Sequence, residues 1–182
     1  MRKFSFRPAL MLRGRTNKGL RGFAGKPFHP PLTDLPVAGY VFAGLFDVLS
    51  ALRGSAPLRA AATYCLVTGA VVSVGALLTG WADWHRSSQV GTQARRTINA
   101  HAVVMIATSL VVVADIVARQ GADGPATGGL VALSVAAAAL VSWGSTYGGS
   151  LVFDYGFNVE TSGDHPVWHE SETDVLPGRH PA

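Results

Sequence analysis

The chain has 182 residues, of which 48% are apolar and only 14% charged, with a mean hydropathy of +0.28. Soluble domains carry about 25% charge, and here the charge gathers at the ends: residues 1–33 hold eight Lys and Arg and no acid, and residues 154–182 hold six acids and one Arg. That pattern excludes an ordinary soluble enzyme domain. The single cysteine, Cys65, excludes an internal disulfide, an all-cysteine iron–sulfur cluster and a thiolate zinc site.

Residues 1–28 read as a basic arm. Arg7, Arg13, Arg15, Lys18 and Arg21 break every stretch that a secretory signal would need for its apolar centre. Each cation close to anionic lipid headgroups contributes about 1 kcal/mol, so membrane lipid is the expected partner of the arm. No nucleic-acid-binding fold accompanies the charge, and nucleic acid is not expected as a partner.

Residues 29–160 form the expected transmembrane domain. His29-Pro30-Pro31-Leu32-Thr33-Asp34-Leu35-Pro36 reads as a stiff, extended approach, with Asp34 as helix N-cap and Pro36 in the first turn. A helix crosses the roughly 30 Å hydrocarbon core with about 20 apolar residues. The spans expected on that rule are about 35–52, 60–82, 97–118 and 128–150, the last in an apolar run that continues to Phe153. Their apolar runs are continuous rather than alternating, which favours helices over strands. Arg53-Gly54-Ser55-Ala56-Pro57 and Gln120-Gly121-Ala122-Asp123-Gly124-Pro125 read as turns, and Asp83 to Arg96 as a polar connector. The fold class expected is an all-α membrane protein, an antiparallel four-helix transmembrane bundle with flexible tails. Residues 161–182 are the acidic one; Pro166 within it argues against a helical metal site made by His165 and His169.

Lys and Arg in the short loops set orientation. Eleven lie on the side of the termini, in the arm and at Arg86, Arg95 and Arg96; three lie opposite, at Arg53, Arg59 and Arg119. Both termini are therefore expected in the cytoplasm, with the protein multi-pass in the cell membrane. Trp81, Trp84, Trp143 and Tyr147 fall towards that same interface, where amphipathic rings concentrate.

Ionisable groups inside spans are costly and face the bundle. His101, Thr108 and Asp115 share one face of the third span, and Thr33, Tyr40 and Asp47 share one face of the first. Asp83 closes a similar stripe on the second. Asp47 and Asp115 lie near the outer end, where Arg53, Arg59 or Arg119 offers an ion-pair partner; a proton or ion carrier using these acids is the alternative reading. His29 and His101 lie at the opposite end, at similar depth. Two such imidazoles suit axial ligation of haem b, with Met105 as a substitute ligand and Gly39, Ala43 and the Gly144–Gly149 stretch as a lining of small residues. The competing reading makes both histidines ordinary hydrogen-bonding groups at helix entries. No metal site, phosphate loop or catalytic constellation stands out: Gly144-Ser145-Thr146-Tyr147-Gly148 lacks the serine of a nucleophile elbow.

Three passages together resemble a bacterial family of predicted membrane proteins, a domain of unknown function often fused to or encoded beside Rieske iron–sulfur domains. They are His29 to Pro36 followed by Asp47; Gly80-Trp81-Ala82-Asp83-Trp84 with His101 following; and Gly148-Gly149-Ser150-Leu151-Val152-Phe153 running on to Gly156-Phe157-Asn158-Val159. The resemblance covers about residues 29–160. Near the third passage the family often has a His where this chain has Tyr155. The resemblance implies a four-span fold and an association with electron-transfer proteins, a Rieske-type protein among them. The function expected is a non-enzymatic membrane subunit or anchor, with a haem-b-binding electron carrier as the alternative.

Overall fold

A computed structural model of the chain describes residues 17–23, 26–87 and 90–158. The rest of the basic arm and the acidic tail, with His165 and His169, lie outside the described residues. A 3-10 turn at Gly19–Arg21 precedes four long helices: α1 (His29–Arg53), α2 (Ala56–Ser87), α3 (Gln93–Ala118) and α4 (Gly128–Phe153). Each contains a window long and apolar enough to cross a membrane.

Helix α1 starts earlier than the prolines suggest. The expected extended approach is helical from His29, with Phe28 rather than Asp34 at the N-cap position. The first turn of a helix has N–H groups with no helical partner, so Pro30 and Pro31 lose nothing there and bring a suitable φ. Pro36 sits inside the helix, buried in the seam with α2 against Gly69. At the other end Gly54 stops α1 in the left-handed conformation, φ 62°, which a residue without Cβ adopts at little cost. The second helix also runs on to Ser87, shortening the polar connector to residues 88–92. Thr92 and Thr127 cap α3 and α4, their hydroxyls accepting from the N–H groups of Arg95 and Leu130.

Helix α1 packs against both α2 and α4, and α3 packs against α4, whereas α2 and α3 meet over only a short stretch. The close approaches run in opposite directions along each pair: Gly39 meets Cys65 and Gly69, and Gly44 meets Ser134 and Ala138. The bundle is therefore antiparallel throughout, with one seam looser than the others.

The helices are apolar all round. Val71, Val103, Leu110 and Val113 face outward, and the interior is filled by Tyr40, Ala43, Ala62, Leu66, Val112, Ala137 and Val141 with the polar Asp47, Ser50, Thr108, Asp115 and Ser134. Lipid is as apolar as leucine, so burying more leucine gains nothing; small residues that let backbones approach and polar groups that bond across helices decide the packing. Every buried side-chain polar atom among the described residues has a partner.

Gly39 shows how close that approach is. A Cβ there would lie 2.8 Å from the carbonyl oxygen of Cys65 and 3.2 Å from Cα of Gly69, both backbone atoms that cannot step aside. Gly39→Ala is expected to cost about 1–3 kcal/mol by forcing α1 and α2 apart. Gly129→Ala, whose Cβ meets nothing closer than 3.9 Å, is the control. Thermal unfolding of both variants in detergent checks the difference.

Candidate functional site

The bundle carries a polar layer at each end and an almost wholly apolar middle. On α1 the layers are His29 and Asp47, 18 residues apart, a rise of about 27 Å; on α3 they are His101 and Asp115.

Asp47 and Asp115 are joined by Arg119, the residue after α3. Its Nε donates to Asp115 Oδ1 at 2.9 Å, and one terminal nitrogen donates to Asp115 Oδ2 at 3.1 Å and also to Asp47 Oδ2. The other terminal nitrogen reaches Asp47 Oδ1 at 3.3 Å and the Thr63 hydroxyl at 3.2 Å on α2. One guanidinium thus ties α1, α2 and α3. Both carboxylates are fully buried and Arg119 nearly so. Burial works against its charge, but hydrogen bonds and the field from Asp47 and Asp115 outweigh that effect, and Arg119 holds its proton more firmly than a free guanidinium. The other two arginines of this end are placed differently. Arg59 donates to the carbonyl of Gly124 at 2.6 Å, and Arg53 is exposed. Ser50 completes the end by bridging both turns, donating to Ser55 and accepting from the N–H of Ala126.

At the opposite end the two histidines meet. Their ring centroids are 6.1 Å apart and their planes are inclined at 85°. His29 Nδ1 lies 2.8 Å from the carbonyl oxygen of Ala76 on α2, and His101 Nδ1 lies 2.9 Å from that of Gly144 on α4. A carbonyl only accepts, so each Nδ1 carries the proton and each Nε2 is left with a free lone pair. This is the tautomer that metal-bound histidines use, with the second nitrogen oriented by a backbone carbonyl.

Each ring also lies against a glycine one helical turn beyond its carbonyl. A Cβ on Gly80 would sit 2.7 Å from Cε1 of His29, and one on Gly148 would sit 3.3 Å from Cε1 of His101. Larger residues at either place would push the ring away. Of the other residues considered for a lining, Gly39 lies in the α1–α2 seam and Ala43 in the central core. Met105 packs its methyl group onto Gly144, where a side chain would overlap it.

Asp83 takes part in a third polar group, just beyond the histidines. It accepts from Arg21 Nε at 3.2 Å and from Asn158 Nδ2 at 2.9 Å, while Arg21 and Asn158 also bond each other. The segment before α1 and the segment after α4 are thus fastened to α2 at the histidine end. Nearby, Trp84 donates to Asn99 at 2.8 Å and lies under the Arg95 guanidinium, bridging α2 to α3. Trp81 stacks on His85 and Trp143 leans on Tyr147, both tryptophans largely exposed.

Sequence reasoning placed the two histidines at one depth but missed the groups that hold them. Backbone carbonyls leave no side-chain signature. Gly148 was visible through its spacing from Gly144, whereas Gly80 carried no such signal. No group of three or more metal-ligating side chains occurs among the described residues.

Residues 25–161 match the family described as Predicted membrane protein (DUF2231). The chain belongs to that family. The match takes in all four spans of this DUF2231 protein, both histidines, and the Asp47, Asp115 and Arg119 cluster. No curated protein and no solved structure matches the chain.

Proposed function

We propose that this DUF2231 protein is an electron-transfer subunit of the membrane that binds one haem b between His29 and His101. The observation that carries the reading is the spacing of the two rings. An imidazole nitrogen binds a first-row metal ion at about 2 Å and lies about 1 Å from its ring centre, so two rings on opposite sides of one iron have centroids about 6 Å apart. The measured separation is 6.1 Å. Two unrelated helix-entry histidines have no reason to adopt it.

The donor set suits the group. Both rings are neutral imidazoles with the proton fixed on Nδ1, both are oriented by carbonyls, and both are backed by glycines. The loose α2–α3 seam offers a planar ligand an edge at which to enter. Bound haem would supply one-electron redox chemistry. The work of the chain is to hold two neutral nitrogens at the ligating distance, to surround them with apolar walls that keep water off, and to do so near one membrane face. A soluble electron-transfer domain docking at that face is the fitting partner, and the Rieske-type proteins implied by the sequence resemblance belong to that class. The chain is read as a redox subunit and not as an enzyme with a catalytic nucleophile of its own.

The test is the visible spectrum of protein purified from haem-replete cells. A Soret band with the sharp α and β bands of a bis-histidine haem on reduction supports the reading; colourless protein that takes up no added haemin rejects it.

Orientation is part of the proposal, with the histidine face and both termini in the cytoplasm. A phosphatase fused after residue 158 is expected to be inactive, and a fluorescent protein fused there to be bright. An active phosphatase would put the haem face on the outside.

A further inference from the structure

Beside His29, on the outer side of the α1–α2 pair, lies a groove of about 520 Å³. Phe28 and Leu32 of the α1 entry form one wall, Gly75 and Leu78 of α2 the floor and the other wall, and Leu20 of the 3-10 turn its lid. Thr79 supplies the polar side chain of the lining. We infer that this groove binds the head of an isoprenoid quinone. The inference rests on the haem reading for the redox character of its occupant.

Three features select that occupant. The groove is apolar and opens from the flank of membrane-spanning helices whose outer positions, Leu78 among them, are exposed, so its ligand arrives from the bilayer. Its volume lies within the range of about 300–1,000 Å³ typical of small-molecule sites. It also shares a wall with the histidine: the turn from Ala76 to Gly80 lines the groove through Thr79 and holds the His29 ring through the Ala76 carbonyl and Gly80. The Thr79 hydroxyl lies 3.4 Å from His29 Nδ1, so a polar head at Thr79 is one residue removed from the ring that would ligate the iron. A lipid acyl chain has no use for that hydroxyl.

The segment carrying Leu20 is fastened by the bonds of Arg21 and Asn158 to Asp83, which gives this cluster a purpose: it keeps the lid over the groove. Oxidation of one quinol here breaks two O–H bonds and releases two protons to water at the adjacent interface. Its two electrons leave one at a time, each converting one ferric iron to ferrous, and a soluble redox partner reoxidises the iron between them.

The test uses full-length protein in nanodiscs and two readouts. An azido-quinone is expected to label the peptides containing Phe28 and Leu78, with the label displaced by decylubiquinone and not by added phospholipid. Decylubiquinol is expected to reduce the ferric haem, and Gly75→Leu or Leu78→Trp to slow that reduction at least tenfold while leaving the Soret band and reduction by dithionite unchanged. A Cβ on Gly75 would meet Leu32 at an ordinary 3.8 Å, and Leu78 is exposed, so neither variant disturbs the core. Displacement of the label by phospholipid as readily as by quinone, or unaltered reduction in both variants, overturns the groove assignment with the haem intact. Colourless protein whose groove still takes the label selectively overturns the haem reading alone.

Discussion

His101→Ala is expected to remove the Soret band of the purified protein, and His29→Ala to remove it or to leave a weak five-coordinate spectrum. Loss of a partner that merely orients a ligand costs about 10–100-fold in metal affinity, so loss of an axial ligand should exceed that range. The glycines behind the rings give a finer test. Gly80→Ala places a Cβ 2.7 Å from Cε1 of His29 and obliges the ring to turn or retreat; a haem affinity lowered about tenfold, with a shifted Soret maximum, is expected. Gly149→Ala is the control, since its Cβ meets only Phe153, at 4.0 Å. Helix-entry histidines with no ligand would leave all four variants spectrally identical. Haem titration of the four proteins, each folded by circular dichroism, decides the matter.

Arg119→Met is expected to be the most damaging substitution for stability. It leaves Asp47 and Asp115, both fully buried, as two like charges without a cation between them. Removing one partner of a buried pair typically costs about 3–5 kcal/mol, and here one removal strands two carboxylates. Asp47→Asn should cost less, because Arg119 keeps Asp115 and an amide can still accept from the freed guanidinium nitrogens. The triple variant Asp47→Asn, Asp115→Asn, Arg119→Met removes every charge of the cluster and is expected to recover most of the loss, since neutral replacements of buried ion pairs are often tolerated. Thermal unfolding of the three variants in one detergent checks the order. If Asp47→Asn proved as damaging as Arg119→Met, the individual carboxylate and not the ion pair would be what holds this end.

The spans were legible because a bilayer demands unbroken apolar length, and that demand is written directly into Ala60–Ala82 and Gly128–Phe153. The shared depth of His29 and His101 followed from topology: in an antiparallel bundle the first and third helices run the same way, and each histidine lies near its helix start. The helix start itself was not legible. Two prolines after His29 suit an extended strand and a first helical turn equally, and the choice came from packing, since as a helical residue His29 meets Ala76 and Gly80 of α2. The partner of the acids was also ambiguous among three arginines. Arg119 took the role because it follows Asp115 by four residues, one turn along the same face. Arg59, on α2, is spent on the Gly124 carbonyl.

The two histidines are held in the same way, by a carbonyl and a glycine four residues beyond it on the following helix. The spacing continues: 29 residues separate Asp47 from Ala76, and 29 separate Asp115 from Gly144. The hairpins α1–α2 and α3–α4 thus read as two copies of one unit, set in parallel about an axis along the membrane normal, as in other repeat-built membrane proteins. A strict twofold would make the α1–α4 and α2–α3 seams alike, as in a homodimer of hairpins. Here α1 closes on α4 while α2 stands off from α3, and Arg119 has Ala51 as its counterpart 68 residues earlier. Joining both units in one chain is what permits such inequality: one cation can serve two acids, and a site on the axis can be sealed on one flank and left accessible on the other.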